Sequence, residues 1–530
     1  MKKELTRRDF VKGALVAGGA MAGMTSLLGG NSSALAAAPP VKRGGIWRVA
    51  GWMTPPTLDV HRISQYWACL GGMYDCLLMT RINPKTLAVE LLPGLATEWH
   101  IDKDGKRIAF TLRKGVLFHD GSKFEAAVAK WNIERLRNHP KSLLKADLTE
   151  IESVEAPNDS TLVLNLHYSS GSLLHNLSAA RLWAGMVSKA FQEKNGDDEL
   201  ARKGCGTGAF RYKDWIVDQK VVLERFPDYW MQGADGKPLP YLDGMEEHYR
   251  PQIEKAVVDL RAGDLDTVID PAERDVPTIR KDPNLLYTEL PPFEYQKICI
   301  GFNSRQGPFT SHALRKAACY AIDRERINKM LGFGVGRVHQ YPYIAKGQPG
   351  WAPAEWADYS FNPKKAQELV KVDYPKGATV ELFSISREPD NTYAQLIKAM
   401  WDAVGIRTEL KSLERLGWIE AMNKDKFQAG FWSSASYVEV FVRPKFSSGS
   451  KENWSNFQNP KVDKLLEEHV KTMDPKKRAE LTKETFKIIS ESAEITCAFA
   501  TTHAVGTHKK VKGIRTYWRY EVASEVWLDT

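Results

Sequence analysis

The sequence lacks most of what marks a catalyst or a membrane protein. Among its 530 residues, no stretch beyond the N-terminus approaches about 18 consecutive apolar residues, which excludes a multi-span membrane protein. There is no Gly-x-Ser-x-Gly elbow, no Walker-type phosphate loop and no His-Glu-x-x-His pair, so the usual hydrolase, nucleotide and zinc-protease signatures are missing. Cysteine is scarce, at positions 69, 76, 205, 299, 319 and 497 only. None forms a Cys-x-x-Cys or a Cys/His quartet, which argues against structural zinc. Lys plus Arg number 74 against 65 Asp plus Glu, a net charge of +9. That excess is dispersed, with no basic block of the kind that serves as a nucleic-acid arm. Internal repeats, low-complexity tracts and long Gly/Ser or Pro-rich linkers are also absent. What remains is 43% apolar and 26% charged, an ordinary globular composition. At roughly 150 residues per domain the length fits two to four domains.

The N-terminus reads as an export signal. Thr6-Arg7-Arg8-Asp9-Phe10-Val11-Lys12 precedes an apolar stretch from Ala14 to Leu28. Gly13, Gly18, Gly19 and Gly23 interrupt that stretch, making it short and poor as a membrane helix. Ala34-Leu35-Ala36 offers the small residues a signal peptidase reads. The pattern resembles a twin-arginine (Tat) signal, the route for proteins exported already folded. The expectation is cleavage near Ala36 and a soluble periplasmic protein. No Cys lies near the cleavage site, so a lipoprotein anchor is not expected. Outside the cytoplasm some thiols can pair, but six allow many connectivities and sequence does not choose. A Cys69–Cys76 bridge is disfavoured: if residues 63–79 are helical, the two are about 10 Å apart along the axis, beyond the roughly 7 Å a disulfide spans.

Further along, strand and helix patterns alternate. Strands are predicted at Gly44–Ala50, Arg107–Leu112, Val116–Phe118, Thr161–His167, Lys220–Glu224, Tyr287–Leu290 and Ile298–Phe302. Helices are predicted at Lys123–Asn138, Ile253–Ala262 and His312–Lys329. The last third alternates Thr379–Phe383, Thr392–Ala403, Thr408–Leu413 and Ala429–Trp432. It then runs through helices Val462–Lys471 and Lys476–Ser490 to a strand at Ala498–Val505. The class is α/β. Without long linkers, the domains are expected to pack together through short crossing strands, as when one domain is discontinuous in sequence.

Chemistry is hard to find. Gly204-Cys205-Gly206-Thr207-Gly208 precedes a strand-like segment rather than the helix a dinucleotide fingerprint needs, so a tight turn is expected. Gly332 to Gly336 reads as a flexible loop, His503 and His508 as surface histidines, and Glu246/Glu247 and Glu467/Glu468 as solvated faces rather than acid/base pairs. Aromatics stand out instead, with 16 Trp. Trp52, Trp67, Trp183, Trp351, Trp418, Trp432 and Trp454 fall in or beside predicted loops. Such rings suit a cleft that encloses and releases a ligand, although ordinary core is the competing role for each.

Several motifs together resemble the extracytoplasmic solute-binding proteins of family 5, the peptide/nickel/opine type that serve ABC importers. Gly44-Gly45 with Leu58-Asp59 match the family's opening. Pro93-Gly94-Leu95-Ala96-Thr97-Glu98-Trp99 and Asp104-Gly105-Lys106 match its next stretch. Phe110 to Gly121 (FTLRKGVLFHDG) is the most specific piece. Gly206-Thr207-Gly208-Ala209-Phe210 carries Ala where the family has Pro. Pro240-Tyr241-Leu242-Asp243, Leu260 to Asp266, Phe302-Asn303, Leu314 to Ala317, Ala321 to Arg324 and Asn459 to Asp463 complete the match. These are scaffold motifs, and they identify a fold rather than a ligand.

The resemblance implies a periplasmic-binding-protein type II architecture (cluster C): two lobes with crossing hinge strands plus an extra domain. The boundaries it suggests are 1–36 for the signal; 37–80, 204–298 and 500–530 for lobe I; 81–203 for the extra domain; and 299–499 for lobe II. It implies no catalysis and no cofactor. The partners expected are a small ligand and an inner-membrane ABC permease, with no nucleic acid, and the protein is expected to be a monomer. Peptide binders of the family place an Asp just after a Trp-bearing strand end, where it pairs with the peptide ammonium. Here Trp432 to Glu439 (WSSASYVE) contains no Asp, and Glu439 is the only acid nearby. Ser434, Ser436 and Tyr437 offer neutral hydrogen bonds instead. Arg181, beside Trp183, resembles the nickel branch's arginine for chelator carboxylates. Arg387 begins a loop that faces the cleft in relatives, and arginine suits carboxylate or phosphate. Trp418 aligns with a pocket aromatic, and Trp52 and Met53 fall in the first cleft loop. The expected ligand is anionic or polyhydroxylated (opine-, sugar-phosphate- or chelate-like). The alternatives are a di- or oligopeptide and, from another class, a Tat-exported enzyme with a cofactor.

Overall fold

A computed structural model of the chain describes residues 41–530, apart from 52–53, 64–66, 84–88, 143, 180–183, 251–252, 388–389, 424, 435–437, 451–452, 515, 518–519 and 522. The signal region therefore lies outside the described residues. In chain order the strands are β1 (Ile46–Gly51), β2 (Leu78–Ile82), β3 (Val89–Pro93), β4 (Ala96–Ile101), β5 (Arg107–Leu112), β6 (Ile151–Asn158), β7 (Thr161–Leu166) and β8 (Phe210–Ile216). They continue with β9 (Lys220–Arg225), β10 (Gly244–Tyr249), β11 (Thr267–Ile269), β12 (Leu285–Phe302), β13 (Ala378–Ile385), β14 (Ile406–Leu413), β15 (Ala429–Ser434) and β16 (Ile495–His508).

Ten of these form one mixed sheet in the order β14-β13-β15-β12-β16-β11-β1-β10-β9-β8. Its middle is the antiparallel pair β12 and β16, which run from one lobe into the other. Leu285 to Glu289 pair with Ala504 to His508 in lobe I, and Lys297 to Gly301 pair with Ile495 to Ala500 in lobe II. The register shifts between Glu289 and Glu294, between Glu294 and Lys297 and again between Ile298 and Cys299, as bulges do where strands bend. A separate sheet β4-β5-β7-β6 and the hairpin β2-β3 build the extra region. The fold is thus the α/β two-lobed arrangement expected, with crossing strands.

The core explains the packing. Trp47, Phe110, Phe118 and Phe210 are fully buried in one cluster spanning lobe I and the extra region. Phe302, Phe309 and Trp401 meet in a second, in lobe II. The turn at Gly206 and Gly208 lets two backbones meet. A Cβ on either glycine would overlap Met73 or Tyr74, so the tight-turn expectation holds.

Several expectations need correction. The two short strands at 287–290 and 298–302 are parts of the single 18-residue strand β12. The helix expected at His312–Lys329 is two, His312–Tyr320 and Arg324–Met330, because the Asp323 side chain accepts from the Arg326 N–H and starts a new helix. Residues 63–79 are not one helix, since helix Ala68–Met73 is followed by β2. Val116–Phe118 contributes only an isolated bridge, Leu117 with Lys123. Gly332 to Gly336 is a packed turn rather than a loose loop, for a Cβ on Gly332 or Gly336 would overlap the Phe499 ring. His503 is buried against Asp270 at 2.6 Å. Glu247 is 3% exposed, because alternation along β10 turns Met245, Glu247 and Tyr249 inward. Glu467 and Glu468 are solvated and paired with Lys471 and Lys477, as expected. All six cysteines are buried, and none of them is joined in a disulfide.

Candidate ligand-binding cleft

Open α/β sheets bind ligands outside the carboxyl ends of their strands, and here two sets of carboxyl ends converge. In lobe I, β1 runs parallel to β10 and β11, so Gly51, Tyr249 and Ile269 end on one side. In lobe II, β13 runs parallel to β14 and β15, ending at Ile385, Leu413 and Ser434. Ile269 pairs with Val505 of β16, and Ser434 pairs with Lys297 of β12. Both sets therefore point toward the middle of the crossing strands, and a cleft with two walls and a stranded floor follows.

The lobe II wall is aromatic. Helix Arg415–Asn423, following β14, carries Trp418, and β15 carries Trp432. Their rings lie 6.4 Å apart, and Trp454 stands edge-on to both, at 5.3 and 6.0 Å. Lys445 Nζ sits 4.4 Å from the Trp454 ring centre, a cation–π contact. Gly301, opposite on β12, makes room, for a Cβ there would lie 2.5 Å from the Trp432 ring. Trp432 Nε1 donates to the Tyr343 hydroxyl at 3.0 Å. Trp418 is 1% exposed and its Nε1 has no hydrogen-bond partner among the described residues. A buried unpaired donor costs about 1–3 kcal/mol, so this indole is a candidate ligand donor.

At the floor, Lys297 is fully buried. Its Nζ donates to the carbonyls of Tyr341 (3.1 Å) and Ile344, and lies 3.1 Å from His339 Nδ1, which also accepts the Tyr341 N–H. Burial, then the charges of Lys297 and Arg324, hold His339 well below the ordinary histidine range. The neutral ring can therefore accept from the ammonium. The lysine thus staples the 339–344 segment to the crossing strand.

The lobe I wall is acidic. Glu247 Oε2 accepts the Cys69 N–H at 2.8 Å, and a Cβ on Gly51 would lie 2.6 Å from Oε1. Tyr249 is 4% exposed, and its hydroxyl meets the Thr54 side chain. Asp270 pairs with His503 beside the crossing strand. Burial pushes the nearby Glu273 carboxyl up to about 7, and Asp270 adds to the rise.

Of the residues singled out from sequence, Trp418 and Trp432 come together. Arg387 follows β13 as expected, but it is exposed and engaged by Asp390 at 2.7 Å. Ser434 ends β15, and Glu439 lies in helix Val438–Phe446. Trp52, Met53, Arg181, Trp183, Ser436 and Tyr437 lie outside the described residues. Sequence reasoning missed Lys297, Lys445, Glu247 and Tyr249. For the last two, the period-two alternation of β10 was an available signal. The lysines carried none, because tertiary packing alone makes their neighbourhood.

Residues 90–487 match the family described as bacterial extracellular solute-binding proteins, family 5 Middle. Among curated proteins the chain is similar to the heme-binding protein A of Haemophilus influenzae, with 24% identity over 445 residues, covering 77% of this chain and 78% of that protein. It is also similar to the glutathione-binding protein GsiB of Pectobacterium atrosepticum, with 26% identity over 420 residues, covering 75% and 77%. Among solved structures, the periplasmic binding protein DppA of Helicobacter pylori, in complex with the peptide STSA, superposes with a TM-score of 0.77 at 24% identity, covering 92% of this chain and 99% of that one. Together with the two lobes and their crossing strands, the match places the molecule plainly: the chain belongs to the bacterial extracellular solute-binding proteins of family 5, the substrate-binding components of ABC importers.

Proposed function

We propose that this receptor closes its two lobes on a small anionic or polyhydroxylated solute, opine-, sugar-phosphate- or chelate-like, and hands it to its permease unchanged. The observation that carries the reading is the lobe II wall: three tryptophans, one bare indole N–H on Trp418 and the buried cation Lys445. Indole donors and a lysine fit acceptor-rich, negatively charged groups. The stretch after Trp432 supplies no Asp for a peptide ammonium. Closure follows from differential affinity, because the ligand touches both walls only when the lobes are shut. Site residues under this reading are Trp418 and Trp432 from the aromatic wall. Trp52, Met53, Arg181, Trp183, Arg387, Ser434, Ser436, Tyr437 and Glu439 join them on the strength of the family resemblance.

The second reading is a di- or oligopeptide receptor. It is favoured by the curated relatives, which include glutathione-binding and dipeptide-binding proteins, and by Glu247 and Glu439 as alternative acids for an ammonium. Export by the twin-arginine route, cleavage near Ala36 and a monomeric state belong to the same proposal. So do an extra domain at 81–203 inserted in lobe I (37–80, 204–298, 500–530) and a lobe II of 299–499. Native mass spectrometry of protein purified from cells tests the ligand class. A single co-purifying anionic mass is the expected result. A ladder of peptide masses would overturn it in favour of the second reading.

A further inference from the structure

The two crossing strands carry one cysteine each, and the two face one another. Cys299 of β12 is the register partner of Cys497 of β16, and both are fully buried. Directly opposed residues of an antiparallel pair have Cα atoms about 4.5–5.5 Å apart, inside the roughly 4.4–6.8 Å window a disulfide occupies. The thiols interact: after burial itself, a hydrogen bond with the Cys497 sulfur is the next largest influence pushing the Cys299 thiol above the usual thiol range. The remaining thiols belong to other elements. Cys69 is in helix Ala68–Met73, Cys76 in the loop before β2, Cys205 in the glycine turn and Cys319 in helix His312–Tyr320.

We propose that Cys299 and Cys497 are an oxidation site that closes into a disulfide between the crossing strands. The oxidant is an external disulfide of the glutathione class, in keeping with an extracytoplasmic protein. One thiolate attacks that disulfide, releasing one thiol and forming a mixed disulfide. The facing thiolate then attacks the mixed disulfide and releases the second thiol. The protein loses two electrons and two protons, and the external disulfide gains both. The product ties β12 to β16 inside lobe II, at the end of the register shifts that run from Glu289 to Cys299. The bend between lobes is thereby confined to those shifted residues, with the two strands moving as one piece of lobe II. Because both sulfurs are buried, the bond forms as the strands pair or as the lobes breathe, and the closed fold shields it afterwards.

The test refolds the reduced, full-length mature protein in a buffer of reduced and oxidised glutathione. The protein is then quenched with acid, unfolded and alkylated. The expected product is lighter by two hydrogen atoms, takes up label on four of its six thiols and yields a cross-linked peptide joining residues 299 and 497. Its melting temperature lies above that of the fully reduced protein. A Cys497→Ala variant carried through the same steps labels all five of its remaining thiols. Labelling of all six thiols in the parent, or a cross-link joining any other pair, would overturn the proposal.

Discussion

Arg135 and Asp59 face each other with both prongs engaged. Nη1 meets Oδ1 at 3.0 Å and Nη2 meets Oδ2 at 2.6 Å, with side-chain exposures of only 5% and 0%. Arg135 lies in helix Ala126–Asn138 of the extra region, and Asp59 lies in the opening segment of lobe I. The pair therefore clips the extra region to lobe I. Removing one partner of a buried pair leaves a stranded charge and costs about 3–5 kcal/mol. Asp197 also reaches Arg135, at 3.0 Å, and remains after the change. Asp59→Ala should thus destabilise toward the lower end of that range, read as a reduced urea midpoint.

The same cluster sets a pH dependence. Arg135 Nη1 donates to His61 Nδ1 at 2.9 Å, and His61 Nε2 lies 2.9 Å from the Gly185 carbonyl. That network fits a neutral ring protonated on Nε2. Burial first, and the Arg135 charge second, bring His61 down to about 4. Unfolded, it titrates near 6.5. Between those values the unfolded chain binds a proton that the folded one refuses, so this contribution to stability is complete above about pH 6.5 and is lost as pH falls toward 4. Asp75, raised to about 6 by burial against hydrogen bonds from Trp230, Thr207 and Tyr229, runs the other way. Its contribution is present below about pH 4 and is lost as pH rises through 6. In a His61→Gln variant the His61 contribution disappears. The stability gap between parent and variant should stay constant above pH 7 and shrink by at most about 3 kcal/mol on going to pH 4. Denaturant titrations at several pH values measure it.

How much of this was legible in the sequence depended on whether the signal was local. The fold class followed from alternating patterns and scaffold motifs. Strand β12 did not, because Leu290-Pro291-Pro292 breaks the pattern a strand should show. The structure carries the strand through by shifting register between Glu289 and Glu294. Trp418 and Trp432 were legible as aromatics near loops, but their meeting with Trp454 and Lys445 was not, since those contacts join distant segments. Glu247 was misread because two adjacent acids look like surface. On a strand, adjacent residues face opposite ways, and only Glu246 keeps its carboxylate near the surface, where Lys220 and His248 pair with it.

The turn from Gly332 to Gly336 rests on Phe499 of the crossing strand. The Arg337 N–H donates to the Ala500 carbonyl at 2.8 Å, and Thr502 Oγ1 donates to the Val335 carbonyl at 2.7 Å. A methyl group at position 336 overlaps the ring, and overpacking of this kind costs about 1–3 kcal/mol. Gly336→Ala should therefore lower stability by that amount. Phe499→Leu alone should also destabilise, by vacating part of a full core. The double variant should lose less than the sum of the two, because the shorter side chain relieves the clash. A double-mutant cycle by chemical denaturation supplies the numbers. Strict additivity would show that the turn simply moves aside.

The two indoles of the lobe II wall have different hydrogen-bond status, and that separates binding from folding. Trp432 Nε1 is engaged by Tyr343 at 3.0 Å, so Trp432→Phe loses an internal hydrogen bond and should lower the melting temperature. Trp418 Nε1 has no acceptor among the described residues, so Trp418→Phe keeps the ring in the cluster, sheds an unpaired donor and should leave stability near that of the parent or slightly raised. If that donor serves the ligand, its loss costs about 1 kcal/mol of binding, or roughly fivefold in affinity. A thermal-shift screen first supplies a stabilising solute, since ligand at 100 times its Kd adds about 2.7 kcal/mol. Calorimetric titration of that solute into both variants then reads the split. Unchanged affinity in Trp418→Phe would mean that the bare indole does not face the ligand.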